Sequence, residues 1–208
     1  MNKETTDNNA PIFREIFGDS WERLPVVMKK HYAVRPNSDD VVTVEGRLDI
    51  KISPLVSLMA RLTGMLLAYS GDDVPVTVVF VSGAGSRTFH FDRTFHFPDR
   101  GDVKFRSRME HVKDNVLVEF MRFGIGWKLA YEWDGHKVIL RHRGYVWRIL
   151  GRMLPIPLEL IIGRGHAEEL PLSDDSFSMW THSKHPLFGK TFGYAGEFKI
   201  TEVSCNQF

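Results

Sequence analysis

The sequence predicts an α+β protein in which N-terminal helices precede a large, curved antiparallel sheet that forms a partial barrel. Apolar residues at helical spacing are confined to the first third of the chain, whereas alternating segments dominate from Val74 onward. The turns between these segments have two to four residues, which favours antiparallel hairpins over parallel crossovers. We expect residues 1–10 to be a disordered tail and residues 11–208 to form a single α+β domain.

Three helices are predicted near the N-terminus. Pro11 suits the first position of a short helix that ends near Gly18. Asp19 or Ser20 is expected to cap a second helix that continues to about His31. Ser53 and Pro54 open a third helix over residues 54–69, with apolar residues at i, i+3, i+4 and i+7 spacing. We expect this third helix to pack on or inside the sheet.

Ten segments read as strands because apolar and polar residues alternate along them. These segments are Val42–Ile50, Pro75–Val81, Arg87–Phe97, Val103–Val112, Val116–Phe123, Trp127–Trp133, Lys137–Val146, His166–Glu169, Ser176–His182 and Phe192–Thr201. Asp134-Gly135 is the strongest hairpin signal and predicts a type I′ turn. The glycines between and within the later strands predict strong bends and a sheet that wraps a cavity.

Composition excludes several classes of protein. The 208 residues are 43% hydrophobic and 25% charged, with a net charge of +1, which gives no support for a nucleic-acid-binding protein. The lone cysteine, Cys205, rules out an intrachain disulfide framework and a cysteine zinc site. The polar N-terminus and the charged or proline-interrupted apolar stretches predict neither a signal peptide nor a transmembrane span. We therefore expect a soluble, cytoplasmic protein.

Two ionisable residues stand on apolar faces of predicted strands. Odd positions of Arg87–Phe97 place Phe91 and Phe95 on one aromatic face with Arg93 between them. Glu119 interrupts an otherwise apolar face in the same way. Because an unpaired buried charge costs several kcal/mol, we expect Arg93 and Glu119 to pair inside a sheet-lined pocket. Such a pair is either a structural ion pair or a ligand-anchoring or acid–base pair, and the alternative to pairing is that the Arg93 side chain extends to water at an edge of the sheet.

Metal and cofactor sites are not predicted. His90 and His96 share a polar strand face but lie about 20 Å apart along it. His182 and His185 have no obvious carboxylate nearby, and the Gly83–Gly85 and Gly163–Gly165 pairs lack the third glycine of a dinucleotide fingerprint. Residues 87–152 hold 14 Lys and Arg against 8 Asp and Glu, a local excess typical of a solvated face or of an anionic-ligand or lipid-headgroup contact.

Several segments together resemble a bacterial family of unknown function, and the resemblance extends from about Ile12 to Ile200. The segments that carry it are Phe17–Trp21, Leu24-Pro25, Gly46, Pro75–Thr77, Phe91–Phe95, Phe105–Arg108, Glu119–Gly124, Pro155–Pro157 and His185–Gly189. Where this family commonly has tryptophan two residues before its arginine, this chain has Phe91. Members occur alone or fused behind saccharopine-dehydrogenase-like reductase domains, so the resemblance implies an NAD(P)-dependent reductase as a partner. It supplies no catalytic residue.

Three functional hypotheses follow. In the first, the pocket binds a small hydrophobic or lipid-like ligand between Phe91 and Phe95, with Arg93 anchoring an acidic head group and Glu119 or Arg122 orienting it. In the second, the protein is an isomerase or cyclase that uses Glu119 as a general base and Arg93 as a clamp. In the third, it is an interaction module that docks on a reductase or a membrane surface through residues 54–69.

Overall fold

The computed structural model of the protein describes residues 10–83 and 85–205. Almost all of the predicted tail, residues 1–9, lies outside the described residues. The helices are α1 (Ile12–Phe17), α2 (Val26–His31), α3 (Pro54–Thr63) and α4 (Glu159–Ile162), with 3₁₀ segments at Gly18–Arg23 and Arg122–Gly124. No helix among the described residues has the length and apolarity needed to cross a bilayer.

Eleven strands are present in the described residues. They are β1 (Val41–Ile52), β2 (Gly71–Ser82), β3 (Phe89–Phe97), β4 (Gly101–Lys113), β5 (Val116–Phe120), β6 (Ile125–Trp133), β7 (Val138–Ile149), β8 (Arg152–Ile156), β9 (Arg164–Pro171), β10 (Ser176–His185) and β11 (Gly189–Ser204). All strand pairings are antiparallel, as the short turns predict.

The sheet is a closed barrel of ten strands, so the expectation of a partial barrel is wrong. Strands β1 to β7 follow one another around the barrel, β9 pairs with β7, and β10 and β11 complete the circle. The first and last strands then pair from Val41 with Ser204 to Ile52 with Phe192. Every ring strand therefore has a neighbour on each side, which removes most of the exposed edges that an open sheet would leave.

Strand β7 has two partners along its outer side. Its first part, Val138–Arg141, pairs with β9, and its last part, Tyr145–Ile149, pairs with β8 in a hairpin that lies outside the ring. Arg148 of this hairpin lies 3.9 Å from the ring centre of Phe120 and forms an ion pair with Glu110. The β7–β8 hairpin covers the outer side of β5 at this point, which explains why both faces of this strand are apolar in sequence.

The two ends of the barrel differ. At the end where β1 begins, which we call the plugged end, α1 and α2 place aromatic side chains in the opening. Phe13 stacks on Tyr32 at 4.4 Å and meets Phe89 and Tyr131 edge-on, and all of these residues are buried. At the opposite end, the mouth, lie α3, α4 and the β7–β8 and β10–β11 turns.

Helix α3 lies on the mouth and not inside the barrel. It ends at Thr63, six residues before the predicted boundary, because Gly64 adopts a left-handed conformation with φ of 63°. Val56 and Ala60 face inward, while Leu55, Leu58 and Leu62 are exposed. The helix is therefore found in the predicted place, but most of the apolar face that was expected to pack is exposed, and the helix does not enter the lumen.

The Asp134-Gly135 turn is found, with a different geometry from the prediction. Trp133 pairs with Val138, so the loop has four residues and not two. Asp134 accepts hydrogen bonds from the backbone N–H groups of His136 and Lys137, and only Gly135 of the pair has a positive φ. The type I′ assignment is therefore wrong, although the hairpin is in the predicted position.

The β1–β11 seam is closely packed around two glycines. A side chain at Gly196 would overlap the carbonyl oxygen of Arg47, and one at Gly46 would lie 2.7 Å from the ring of Phe198. We expect Gly196→Ala to lower the free energy of unfolding by about 3 kcal/mol, since the clash with backbone is relieved only by moving a strand. Urea denaturation measures this change.

The matched control is Gly83→Ala, where the added carbon has its nearest neighbour at 3.5 Å. It is expected to change the stability by less than about 0.5 kcal/mol. Equal effects of the two substitutions would contradict the tight seam.

Candidate functional site

The inward-facing side chains of the barrel form an apolar lumen with a few polar groups. On β3 every second residue from Phe89 to Phe97 is buried, so the predicted alternation is found. Phe91 and Phe95 line the lumen on either side of Arg93. The arginine thus points into the barrel interior, where its residue is 9% exposed.

Arg93 is paired with Glu119 across the intervening strand β4. Its Nη2 donates to Glu119 Oε1 at 2.7 Å, and its Nη1 donates to Ser107 Oγ at 3.1 Å. Ser107 Oγ in turn donates to the same Glu119 oxygen at 2.6 Å. The pairing expected from the two interrupted apolar faces is therefore present, and Ser107 completes it as a triad that sequence reasoning did not include.

The surroundings of Arg93 keep it charged. Its guanidinium lies 4.7 Å from the ring centre of Phe91 and 5.0 Å from that of Phe105. Burial lowers the pKa of Arg93, but the charge of Glu119 and its hydrogen bond outweigh this effect and raise the pKa above its usual value. The positive charge is thus already neutralised within the lumen by a protein carboxylate.

Two cavities meet at this ion pair. Each cavity has a volume of about 60 Å³. The upper chamber extends toward the plugged end and reaches His31 and Glu169, whereas the lower chamber extends toward the mouth and reaches Leu66. Five residues line both cavities and form the partition between them: Arg93, Glu119, Trp127, Thr181 and Tyr194.

A second polar group of residues lies at the far end of the upper chamber. Tyr32 donates a short hydrogen bond to Glu169 Oε2, and His31 Nε2 lies 3.7 Å from the same oxygen. Burial, and then the charge of Glu169, raise the pKa of Tyr32 well above its usual value, so it remains a donor. His31 lines the cavity, and its buried Nδ1 has no partner. Alternation along β9 places Glu169 on the luminal face with Ala167, a signal that sequence reasoning did not use.

The lower chamber is bounded by a hydrogen-bonded chain at the mouth. Trp127 Nε1 donates to His142 Nδ1 at 2.8 Å, and His142 Nε2 lies 3.1 Å from Glu159 Oε1 on α4. Because Nδ1 accepts from the indole, the proton of the neutral ring lies on Nε2 and faces the carboxylate. This chain fixes the Trp127 side chain that separates the two chambers.

Arg122 lies outside the lumen. Strand β5 ends at Phe120 instead of Phe123, and the 3₁₀ segment that follows has positive φ at Phe123 and Gly124. Arg122 is exposed and lies beside Gly64 at the mouth. It therefore does not join Arg93 and Glu119, and we leave it out of the candidate site.

No cluster of three or more potential metal ligands occurs among residues 10–83 and 85–205. His96 instead pairs with Asp102 at 2.7 Å and lies 3.2 Å from Thr77 Oγ1 on the outer face of the barrel. Cys205 is buried enough to raise its pKa to about 11, which keeps it in the unreactive thiol form at neutral pH.

Comparison with known proteins identifies a family but no activity. A family model described as "Domain of unknown function (DUF4166)" matches residues 24–198. The crystal structure of Rv2717c from M. tuberculosis is similar at a TM-score of 0.45 and 13% identity, covering 77% of this chain and 91% of that one. No curated protein matches the chain. Fusion to a saccharopine-dehydrogenase-like reductase is not found in these comparisons and stays a prediction.

Removing one partner of the luminal ion pair leaves an uncompensated buried charge. We expect Glu119→Gln or Arg93→Met alone to lower the free energy of unfolding by about 3–5 kcal/mol. The double variant Arg93→Met/Glu119→Gln is expected to be more stable than either single variant because it buries no charge. Urea titrations of the four proteins give the coupling energy, and simple additivity of the two single effects would contradict the pairing.

The hydrogen bonds that join Trp127, His142 and Glu159 predict a pH dependence of stability. Burial lowers the pKa of His142 below its usual value, and the hydrogen bond to Glu159 only partly offsets this effect. A histidine whose folded pKa lies below its unfolded value, about 6.5, stabilises the fold fully above pH 6.5. That contribution is lost as the pH falls from about 6.5 through the folded pKa, because the unfolded chain binds the proton more readily.

The variant His142→Gln retains an acceptor for Trp127 and a donor for Glu159 but does not titrate. We expect its free energy of unfolding to fall less than that of the wild type between about pH 7.5 and 5, as measured by urea denaturation across this range. The same slope in both proteins would show that His142 does not contribute.

Proposed function

Because the chain belongs to the DUF4166 family of domains of unknown function, we propose its function from the barrel itself: it binds a small, neutral, largely apolar molecule within the lumen. The carrying observation is the pair of apolar chambers that meet at the buried Arg93–Glu119 pair. Apolar walls with a few converging polar groups are typical of small-molecule sites.

The volume limits the size of the ligand. A water occupies about 10–15 Å³ on the same measure, so a chamber of about 60 Å³ holds about five non-hydrogen atoms. The two chambers together hold about ten such atoms once the side chain of Tyr194 turns aside. A short chain or a single ring fits this limit, whereas a full phospholipid requires a larger lumen.

The charges in the lumen favour a neutral ligand over an acid. Glu119 already neutralises Arg93, and Glu169 adds a second buried carboxylate at the far end of the upper chamber. A ligand carboxylate would bring a third negative group into a space with one paired arginine, at a large desolvation cost. A hydroxyl or carbonyl is compatible, because Tyr131, Tyr194 and His31 also face the chamber. This differs from the acidic head group expected from the sequence.

Access to the lumen lies beside the mouth. Residues 101–107 of β4 pair with β3 alone, because β5 ends at Phe120. The connection between α3 and β2 lies at this gap, where Leu66 lines the lower chamber and Gly64 lies against Arg122. Since a connection is held by fewer backbone hydrogen bonds than a strand, displacement of residues 64–70 is the simplest opening of the barrel.

The geometry gives less support to an enzyme. Oε1 of Glu119 accepts hydrogen bonds from both Arg93 and Ser107, so the lone pairs of this oxygen are already occupied by protein donors and not directed at a substrate. The isomerase or cyclase hypothesis stays a prediction without an observation that favours it.

Binding of 1-decanol and decanoate at about pH 8 tests this proposal, since the two ligands share a chain and differ in charge. By isothermal titration calorimetry, decanol is expected to bind at least about tenfold more tightly, because ionised decanoate has to be desolvated beside Glu119 and Glu169. Tighter binding of decanoate would restore the acidic head group, and no binding of either would contradict a ligand of this size.

Matched variants locate the bound molecule. Ala167→Leu adds three carbons inside the upper chamber and is expected to reduce decanol binding at least about tenfold. Ala195→Leu adds the same carbons on the exposed outer face and is expected to leave binding unchanged. Urea denaturation shows whether Ala167→Leu remains folded, and Ala167→Val is the smaller substitution if it does not. Equal affinities of all variants would place the site outside the barrel.

A further inference from the structure

The exposed large apolar side chains of the described residues are concentrated at the mouth. They belong to α3, the 3₁₀ segment Arg122–Gly124, the β7–β8 hairpin, α4 and the β10–β11 turn. We call this set the apolar rim, and its members are Leu55, Leu58, Leu62, Phe123, Trp147, Leu150, Met153, Leu154, Leu160, Ile161, Leu187 and Phe188. The most exposed are Leu150 at 98%, Leu187 at 82% and Leu62 at 79%. Only four others, Val26, Val112, Leu170 and Leu172, lie elsewhere in the described chain.

Direct contacts hold the rim segments next to one another. Trp147 Nε1 donates to the carbonyl oxygen of Phe123 at 2.9 Å, which joins the β7–β8 hairpin to the 3₁₀ segment. His185 Nε2 lies 3.2 Å from the carbonyl oxygen of Leu160, which joins the β10–β11 turn to α4. The N–H of Ser53 donates to the carbonyl oxygen of Thr191 at 2.8 Å and anchors the start of α3. These contacts hold the rim segments in two groups at the same end of the barrel, and their apolar side chains project as separate tips.

Basic residues without an acidic partner lie among these tips. Among the described lysines and arginines, those at the mouth that form no ion pair within 4.0 Å are Lys51, Arg61, Arg122, Arg152, Arg164, Lys184 and Lys190. Of the nearby carboxylates, Glu110 is paired with Arg148, whereas Glu159 is hydrogen-bonded to the neutral His142 and keeps its negative charge. Asp49 and Asp72 also form no ion pair, so the seven bases outnumber these three carboxylates. The mouth thus combines projecting apolar groups with a surplus of positive charge.

We propose that the mouth docks on the surface of an anionic lipid bilayer. Leucines at i, i+3 and i+7 on α3, with separate apolar tips on four other segments, suit insertion between acyl chains, where no matching partner shape is required. Lysine and arginine side chains between the tips reach the phosphate and carboxylate groups of the headgroup layer. The proposal is independent of what occupies the lumen.

Charge complementarity is the reason for choosing a bilayer over a second copy of the chain. Two copies that meet mouth to mouth would bring two sets of unpaired bases together, which is repulsive. The plugged end has fewer of both features: Arg14, Lys29 and Arg35 there are paired with carboxylates, and its aromatic side chains are turned inward, although Arg23 and Lys30 form no ion pair.

Flotation with phosphatidylcholine vesicles that contain or lack phosphatidylserine tests this proposal. We expect the wild type to float with phosphatidylserine vesicles, less so at high salt, and the variant Leu62→Ser/Leu150→Ser/Leu187→Ser to partition at least about tenfold less. The matched control Val112→Ser/Leu170→Ser/Leu172→Ser removes exposed apolar groups from the plugged end and is expected to float like the wild type.

Charge reversals provide an independent readout. Arg152→Glu/Lys184→Glu at the mouth is expected to lower partition at least about tenfold, whereas Arg23→Glu/Lys30→Glu at the plugged end is expected to leave it unchanged. Failure of the wild type to float would overturn the proposal, as would equal partition of all variants. Light scattering on the free protein adds one further outcome: a dimer that the rim substitutions dissociate would assign the surface to a second copy instead.

Discussion

Pairing of the first strand with the last is the constraint on which the rest of the structure depends. Strands β1 and β11 lie about 150 residues apart in the chain, yet they pair along the full length of β1. Once this seam closes, each inward side chain has to fit a fixed ring of ten strands. Glycine is required at positions 46 and 196 because the ring of Phe198 and the carbonyl group of Arg47, respectively, occupy the space that a side chain would need.

Closure also sets the electrostatics of the interior. The alternation of β3 obliges Arg93 to face inward, where water is replaced by phenylalanine rings. Glu119 and Ser107 come from the next two strands of the same wall, so the charge is compensated locally and the wall is not distorted. The ion pair then occupies the centre of the lumen and divides the remaining space in two. The ion pair is thus part of both the barrel wall and the partition between the two chambers.

Alternation along single strands was sufficient to predict most of the sheet and the Arg93–Glu119 pair. It was not sufficient for closure, because an open meander and a closed barrel have the same local pattern and differ only in the β1–β11 register. Strand β8 was missed because Pro155 lies within it and Pro157 directly follows it, and a proline is compatible with a strand that pairs on one side only. Arg122 was misplaced because positive φ angles at Phe123 and Gly124 end the strand in a way that alternation does not reveal.

The aromatic plug formed by Phe13, Tyr32 and their neighbours has a consequence for how the barrel works. Because stacked rings close one end, the barrel is a cavity with one open end and not a channel that runs through the protein. Under the proposed function, a ligand enters and leaves through the same opening, so binding and release compete for one passage. Whether a ligand is then taken up or released depends on its concentration around the protein.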